Sequence, residues 1–188
     1  MRRKDDLKQN SIKKAVVKVV LEEGMHGASI SKIAKAAGVS PATVYIYYEN
    51  KDVMLKAIYH EYAQEMFDTI SAHLSNELTA DIFIDVIVRQ SYHYMVSHED
   101  IHHFVEQYGS CPSLSQGCIA ISGPDQLGDR INTYKEQGVL MNYDSSNIWA
   151  MLFLPVKGII KKTCSSDITT DQRLDEMIRM IQRALIKE

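Results

Sequence analysis

The chain has 188 residues, 45% hydrophobic and 24% charged, the ordinary mix of a globular protein and not that of a disordered one. Its longest apolar run, Ile148 to Val156, is far short of the ~18 residues a membrane span needs, and the basic start Met1-Arg2-Arg3-Lys4 has no apolar stretch behind it, so neither a membrane partner nor a secretory signal is expected. The net charge of −3 is uneven: residues 1–56 carry +5, residues 57–188 carry −8, and between Ala57 and Asp129 the single Lys or Arg is Arg89 against eleven acids. A basic head on an acidic body suits contact with a polyanion at one end; chance clustering on solvated faces is the alternative.

Helical periodicity runs along nearly the whole chain. Ile12, Ala15, Val16, Val19 and Val20 follow the i, i+3, i+4, i+7 pattern and predict a first helix from Asp5 to Glu22, ended by Gly24 and Gly27. Ser29 reads as the N-cap of a second helix carrying Ile30, Ile33, Ala34 and Ala37, which Gly38 stops. Ser40-Pro41 is an N-cap followed by proline at the first helical position, where its missing N–H does no harm; a short third helix follows to Tyr47. Asn50 caps a long fourth helix. Thr79 opens a fifth, running to Val96, and Ser97-x-x-Asp100 resembles a capping box for a sixth from His98 to Gly109. Residues 110–123, rich in Ser, Gly, Cys and Pro, read as a loop. A helix from Pro124 to Gln137 is closed by Gly138, Asp144 caps another running to Cys164, and Thr169-x-x-Gln172 caps the last. No strand alternation and no repeat is evident. The expected class is all-α with about nine helices. Three cysteines, Cys111, Cys118 and Cys164, form no C-x-x-C pair, so neither a disulfide framework nor a cysteine zinc site is expected and a reducing cytoplasm is the natural compartment.

The sharpest signal is Ser29 to Lys51. Two short helices are joined by Ala37-Gly38-Val39-Ser40, a tight turn with glycine where positive φ is wanted. Ile30, Ile33, Ala34, Val39 and Val44 would pack these helices onto the first. Ala42, Thr43, Ile46 and Tyr47 are left on the outer side of the third, a helix slim enough at its N-terminal end to enter a major groove.

The run from Ser29 to Leu55, Ser-Ile-Ser-Lys-Ile-Ala-Lys-Ala-Ala-Gly-Val-Ser-Pro-Ala-Thr-Val-Tyr-Ile-Tyr-Tyr-Glu-Asn-Lys-Asp-Val-Met-Leu, resembles the DNA-binding domain of the TetR family of bacterial transcription regulators. It departs from the family pattern in Tyr48, where phenylalanine is usual, and Ala42, where glycine is common. The resemblance is tight over residues 8–60; beyond them only the succession of helices and the length agree. It implies a helix-turn-helix DNA-binding domain at residues 1–50 and a helical ligand-binding and dimerisation domain at residues 51–188, the fourth helix serving as connector. Ala42, Thr43 and Tyr45 would approach bases and sugar–phosphate, Thr43 by its hydroxyl or its methyl. Tyr47 and Lys51 would contact phosphates, where a phenol and a cation need little geometry to contribute. Ser29 and Ser31 sit where the second helix's dipole favours a phosphate, and Arg2, Arg3 and Lys4 form an arm. Ile46 carries no donor and reads shape or a thymine methyl. Val44 and Tyr48 are core.

His98-Glu99-Asp100-Ile101-His102 matches the H-E-x-x-H pattern in which two histidines share a zinc ion and the glutamate is a base. Helix-dipole preference alone explains acids in a first turn, and Val105 and Tyr108 stand where an extended zinc motif wants glycine and histidine. The zinc-dependent hydrolase is kept as the remote alternative; no cofactor and no metal is expected.

In the acidic body the resemblance implies a small-molecule effector site and a homodimer. Two long apolar stripes, Ile148, Trp149, Leu152, Phe153, Val156, Ile159 and Ile160, then Leu174 to Leu185, suit a four-helix seam between subunits, with burial inside one chain as the alternative. Candidate effector contacts are Tyr92, Met95, His102, Phe104, Glu106, Gln107, Tyr108, Trp149 and Phe153, each of which can equally be core. With so few cations a multiply anionic ligand is poorly served, and a small apolar molecule, neutral or cationic, fits better. The expected function is that of a ligand-responsive repressor on a palindromic double-stranded DNA operator. An activator, a DNA-binding protein with no small ligand and a helical protein-interaction module are the alternatives.

Overall fold

The capping residues set the helix boundaries. The structure, a computed structural model, describes residues 2–75, 77–109, 125–160 and 168–187. Nine helices occupy them: α1 Arg2–Gly27, α2 Ile30–Ala37, α3 Pro41–Tyr47, α4 Lys51–Ser71, α5 Ala80–Ser97, α6 Glu99–Gly109, α7 Asp125–Glu136, α8 Ser145–Ile160 and α9 Thr170–Leu185. The side chains of Arg2, Arg3 and Lys4, the loop expected over 110–123, the end of α8 expected near Cys164, and all three cysteines lie outside the described residues.

Ser29 caps α2 by accepting from the Lys32 N–H, Ser40 caps α3 through the Thr43 N–H, and Gly38 sits left-handed at φ 69°, ψ 30° with its N–H returned to α2 carbonyls. Asn50 Oδ1 accepts from the Val53 N–H at 2.9 Å, and Thr169 and Gln172 close a reciprocal capping box on α9. The first helix departs from expectation. It extends five residues past Glu22, but Gly24 interrupts it with φ 75°, ψ 169°, a conformation that glycine tolerates and that turns the chain toward α2.

The chain divides into two compact units. The first contains α1, α2, α3, α4 up to Ala63, and α6. Its buried residues include Ile12, Val16 and Val20 of α1, Ile33 and Ala34 of α2, Val44 of α3 and Met54, Leu55 and Ile58 of α4. Helix α6 is part of this unit. Tyr108 stacks on Tyr59 with ring centroids 4.4 Å apart, Phe104 meets Tyr62 edge-on, and Lys13 bridges to Glu61 at 2.7 Å while lying over the Tyr62 ring. This division by packing differs from the functional boundary at residue 51 that the resemblance implies.

The second unit holds α4 from Gln64, α5, α7, α8 and α9. Phe67, Phe83, Ile87, Leu127, Ile131, Trp149, Phe153, Ile178 and Leu185 belong to one apolar cluster. Arg89 ties α5 to α9, its Nε 3.0 Å from Asp85 and its terminal nitrogen on Asp175. The Tyr134 hydroxyl donates to the Leu78 carbonyl. A short antiparallel bridge pairs Leu140 with Ile186. The stripes that the sequence offers for a subunit seam turn out to face this core. Ile148, Trp149, Leu152, Phe153, Val156 and Ile159 of α8 and Leu174, Ile178, Ile181 and Leu185 of α9 are all buried within one chain. The intrachain alternative is the one the structure adopts for them.

Candidate nucleic-acid interface

Helix α3 is seven residues long and gives the first unit one side chain for its core, Val44, which is fully buried. Tyr48, just past the helix, is buried as well, and that burial is the main reason its phenol is raised above the usual range. The remaining positions turn outward. Pro41, Ala42, Tyr45 and Ile46 are exposed, and Thr43 and Tyr47 are half-buried. Tyr45 is 56% exposed and Ile46 78%. Of the outer face expected from the sequence, Ala42 and Ile46 are exposed, Thr43 and Tyr47 are half-buried, and Tyr45 is exposed in addition.

Thr43, Tyr47 and Lys51, on or beside that face, have intrachain partners. Thr43 Oγ1 lies 2.9 Å from Ser40 Oγ, so the hydroxyl nearest the start of α3 shares in the cap. The Tyr47 hydroxyl donates to Asp5 Oδ1 at 2.9 Å, reaching across 42 positions of sequence. Partial desolvation, that hydrogen bond, and the charges of Asp5 and Asp6 raise the Tyr47 phenol above its ordinary range, so it remains a proton donor. Lys51 Nζ donates to the Met25 carbonyl at 3.3 Å. A lysine has three N–H groups, so the clamp on the α1–α2 turn leaves two for a phosphate. Lys32 pairs with Glu23 and donates to the Gly27 carbonyl at 3.1 Å. Ser29 is half-buried at its cap and Ser31 is exposed beside it. Sequence reasoning missed Asp5 and the Met25 carbonyl, because no short-range pattern links residues so far apart.

The nine candidate effector contacts fall in both units. Met95, Trp149 and Phe153 belong to the apolar cluster of the second, with Tyr92 packed against it. Trp149 and Phe153 stack at 5.6 Å, and Phe67 meets Phe153 edge-on at the same distance. His102, Phe104 and Tyr108 are buried on α6 in the first unit, with Glu106 half-buried and Gln107 exposed. In the H-E-x-x-H segment His98 stands in the turn before α6, Glu99 is exposed and lies 3.6 Å from His103, and His102 is buried. Among the described residues no group of three His, Cys, Asp or Glu is placed to hold a metal ion, and no helix is long and apolar enough to cross a membrane.

Comparison with known proteins follows the same division. Residues 12–58, from α1 into α4, match the family model described as bacterial regulatory proteins, tetR family. The chain is 30% identical over 78 residues to the fatty acid metabolism regulator protein of Bacillus subtilis, a match covering 42% of this chain and 40% of that one. The chain spans about half or less of the curated relatives it matches. The whole fold is similar to a TetR family transcription regulator from Marinobacter aquaeolei, with a TM-score of 0.81 at 23% identity over 100% of both chains. It is also similar to the regulator FadR from Bacillus subtilis in complex with stearoyl-CoA, with a TM-score of 0.68 at 16% identity over 93% of this chain and 97% of that one.

Proposed function

We propose, for a chain whose residues 12–58 place it in the TetR family of bacterial regulatory proteins, the function of a ligand-responsive transcriptional repressor that binds double-stranded DNA as a homodimer. The observation that carries this reading is the doubly capped pair α2–α3. Its Gly38 turn and buried Val44 leave Ala42, Tyr45 and Ile46 of a short helix in solvent, with Thr43, Tyr47 and Lys51 beside them. A face of that size, on the end of the chain that carries net positive charge, suits a major groove, with Ser29, Ser31, Tyr47 and Lys51 fixing register on the phosphates. The family is one of DNA-binding regulators rather than enzymes, which sets aside the hydrolase reading of His98, Glu99 and His102. The test is titration of a random-sequence duplex pool at rising salt. Steeply salt-dependent binding is expected, and salt-independent or absent binding refutes the reading.

Functionally, residues 1–50 form the DNA-binding domain in this proposal and residues 51–188 the effector and dimerisation domain. A symmetric dimer presents two copies of α3 to the halves of a palindrome. With the apolar stripes of α8 and α9 buried, the seam falls to the next stripe on each helix: Met151, Leu154 and Gly158 on α8, and Met177, Met180 and Ala184 on α9. Met151, Leu154 and Met180 are exposed large apolar residues, and the i, i+3, i+7 spacing puts each set on one face.

For the effector, Tyr92, Met95, Trp149 and Phe153 are the favoured contacts, since they share one apolar cluster, while His102, Phe104, Glu106, Gln107 and Tyr108 belong to α6 of the first unit. A small apolar molecule, neutral or cationic, is the favoured class, because Arg89, the one Lys or Arg on α5, is already paired with Asp85 and Asp175. Effector binding lowers operator affinity through α4, and a coupling of ~1–3 kcal/mol corresponds to about 5–150-fold derepression. Thermal denaturation with panels of neutral, cationic and anionic apolar compounds tests the class. The fatty-acid regulator among the relatives makes acyl-CoA the informative anionic member, and stabilisation by acyl-CoA alone refutes the assignment.

A further inference from the structure

We infer that Ile46 is the specificity-determining residue of the interface and that it recognises a thymine through the base's C5 methyl group; this rests on the DNA-binding reading above. A lone exposed aliphatic residue is ordinary on a protein surface, so exposure by itself says nothing. What surrounds Ile46 sets it apart. It is 78% exposed, the most of any large apolar side chain among the described residues. Ala42, also exposed, stands four positions before it on the same helix, and residues so spaced are neighbours on one face, ~5–6 Å apart. That edge of α3 carries no hydrogen-bonding group.

Of the hydroxyls near this edge, those of Thr43 and Tyr47 have intrachain partners, while the exposed Tyr45 stands beside Ile46. Thr43 Oγ1 shares a hydrogen bond with Ser40 Oγ, which also accepts the Thr43 N–H. The single phenolic proton of Tyr47 is given to Asp5. A carboxylate and a phosphate are both acceptors, so that proton serves one of them at a time. At Ala42 and Ile46 themselves α3 offers a groove aliphatic surface. Of the groups that base pairs present in the major groove, thymine's methyl is the apolar one; the rest are donors and acceptors that an isoleucine leaves unpaired. Burying an acceptor against Ile46 is unfavourable, so the residue rejects guanine and adenine edges as well as attracting thymine.

The experiment starts with duplexes selected by the full-length protein from a random pool. In the selected duplex each thymine is replaced in turn by deoxyuridine, which lacks only the methyl, and binding is compared for the wild-type protein and Ile46→Ala. One thymine per half-site is expected to respond, with a loss of roughly fourfold per half-site, the worth of one buried methyl group. Ile46→Ala is expected to bind the thymine and deoxyuridine duplexes equally, with unchanged thermal stability. Indifference of the wild type to deoxyuridine at every position, half-sites without thymine, or a methyl effect that survives in Ile46→Ala overturns the inference while leaving DNA binding intact. A wild type that selects no duplex removes the DNA-binding reading itself, and the inference with it.

Discussion

Lysine 51 has two roles in this account, and one substitution separates them. Its Nζ donates to the Met25 carbonyl at 3.3 Å, which holds the turn after Gly24, and its remaining N–H groups and charge are assigned to phosphate. Lys51→Gln keeps an N–H donor on a long side chain and removes the charge. Each cation that neutralises a phosphate adds ~0.9 to the slope of log affinity against log salt, so losing one from each half of a dimer is expected to flatten the slope by about 1.8. Between about 50 and 200 mM salt the wild type then loses roughly tenfold more of its affinity than the variant does. Fluorescence anisotropy of a labelled duplex at four salt concentrations reads this directly. Thermal denaturation reads the other role: Lys51→Gln is expected to melt with the wild type. Lys51→Ala lacks the bond to Met25 and is expected to lose stability by the ~0.5–1.5 kcal/mol of a typical hydrogen bond. Parallel salt slopes for wild type and Lys51→Gln refute the phosphate role and leave Lys51 as a turn clamp alone.

Asp5→Asn removes an anion from the DNA face and keeps an acceptor for the Tyr47 hydroxyl, whereas Asp5→Ala removes both and frees the Tyr47 proton. Affinity for duplex DNA is expected to rise several-fold, and equal affinity for wild type, Asp5→Asn and Asp5→Ala shows that Tyr47 takes no part. Gly38→Ala meets no atom within 4 Å, but its backbone stays at φ +69°, so a loss of about 1–2 kcal/mol from left-handed strain is expected. A urea midpoint unchanged within error contradicts it. Leu154→Glu places a charge on the proposed seam of α8; sedimentation is expected to find a monomer, with DNA affinity down by roughly 10²-fold through lost bivalency, and a dimer of normal affinity moves the seam elsewhere. The Asp81 carboxyl is held below its ordinary value of 3.8, chiefly by the Thr79 hydroxyl. Because the folded pKa lies below the unfolded one, the stability it adds is complete above about pH 4 and lost as pH falls further. Thr79→Val is expected to reduce that acid sensitivity, which melting curves at pH 3 to 5 measure.

Local chemistry was enough to place most helix ends. Ser29, Ser40, Asn50 and Thr169 each satisfy an orphan N–H within three residues, and Gly38 adopts the one backbone conformation that suits its turn; such interactions close within one helical turn and are written in adjacent residues. The outer face of α3 was legible for the same reason, since one buried position, Val44, fixes which side chains point away. Tertiary packing decided everything carried by contacts across long stretches of chain. It joined α6 to the first unit through Tyr59 and Tyr108, gave Tyr47 to Asp5 and Lys51 to Met25, and drew the stripes of α8 and α9 into their own core. An apolar stripe states that a surface must be buried; only the arrangement of the other helices states against what.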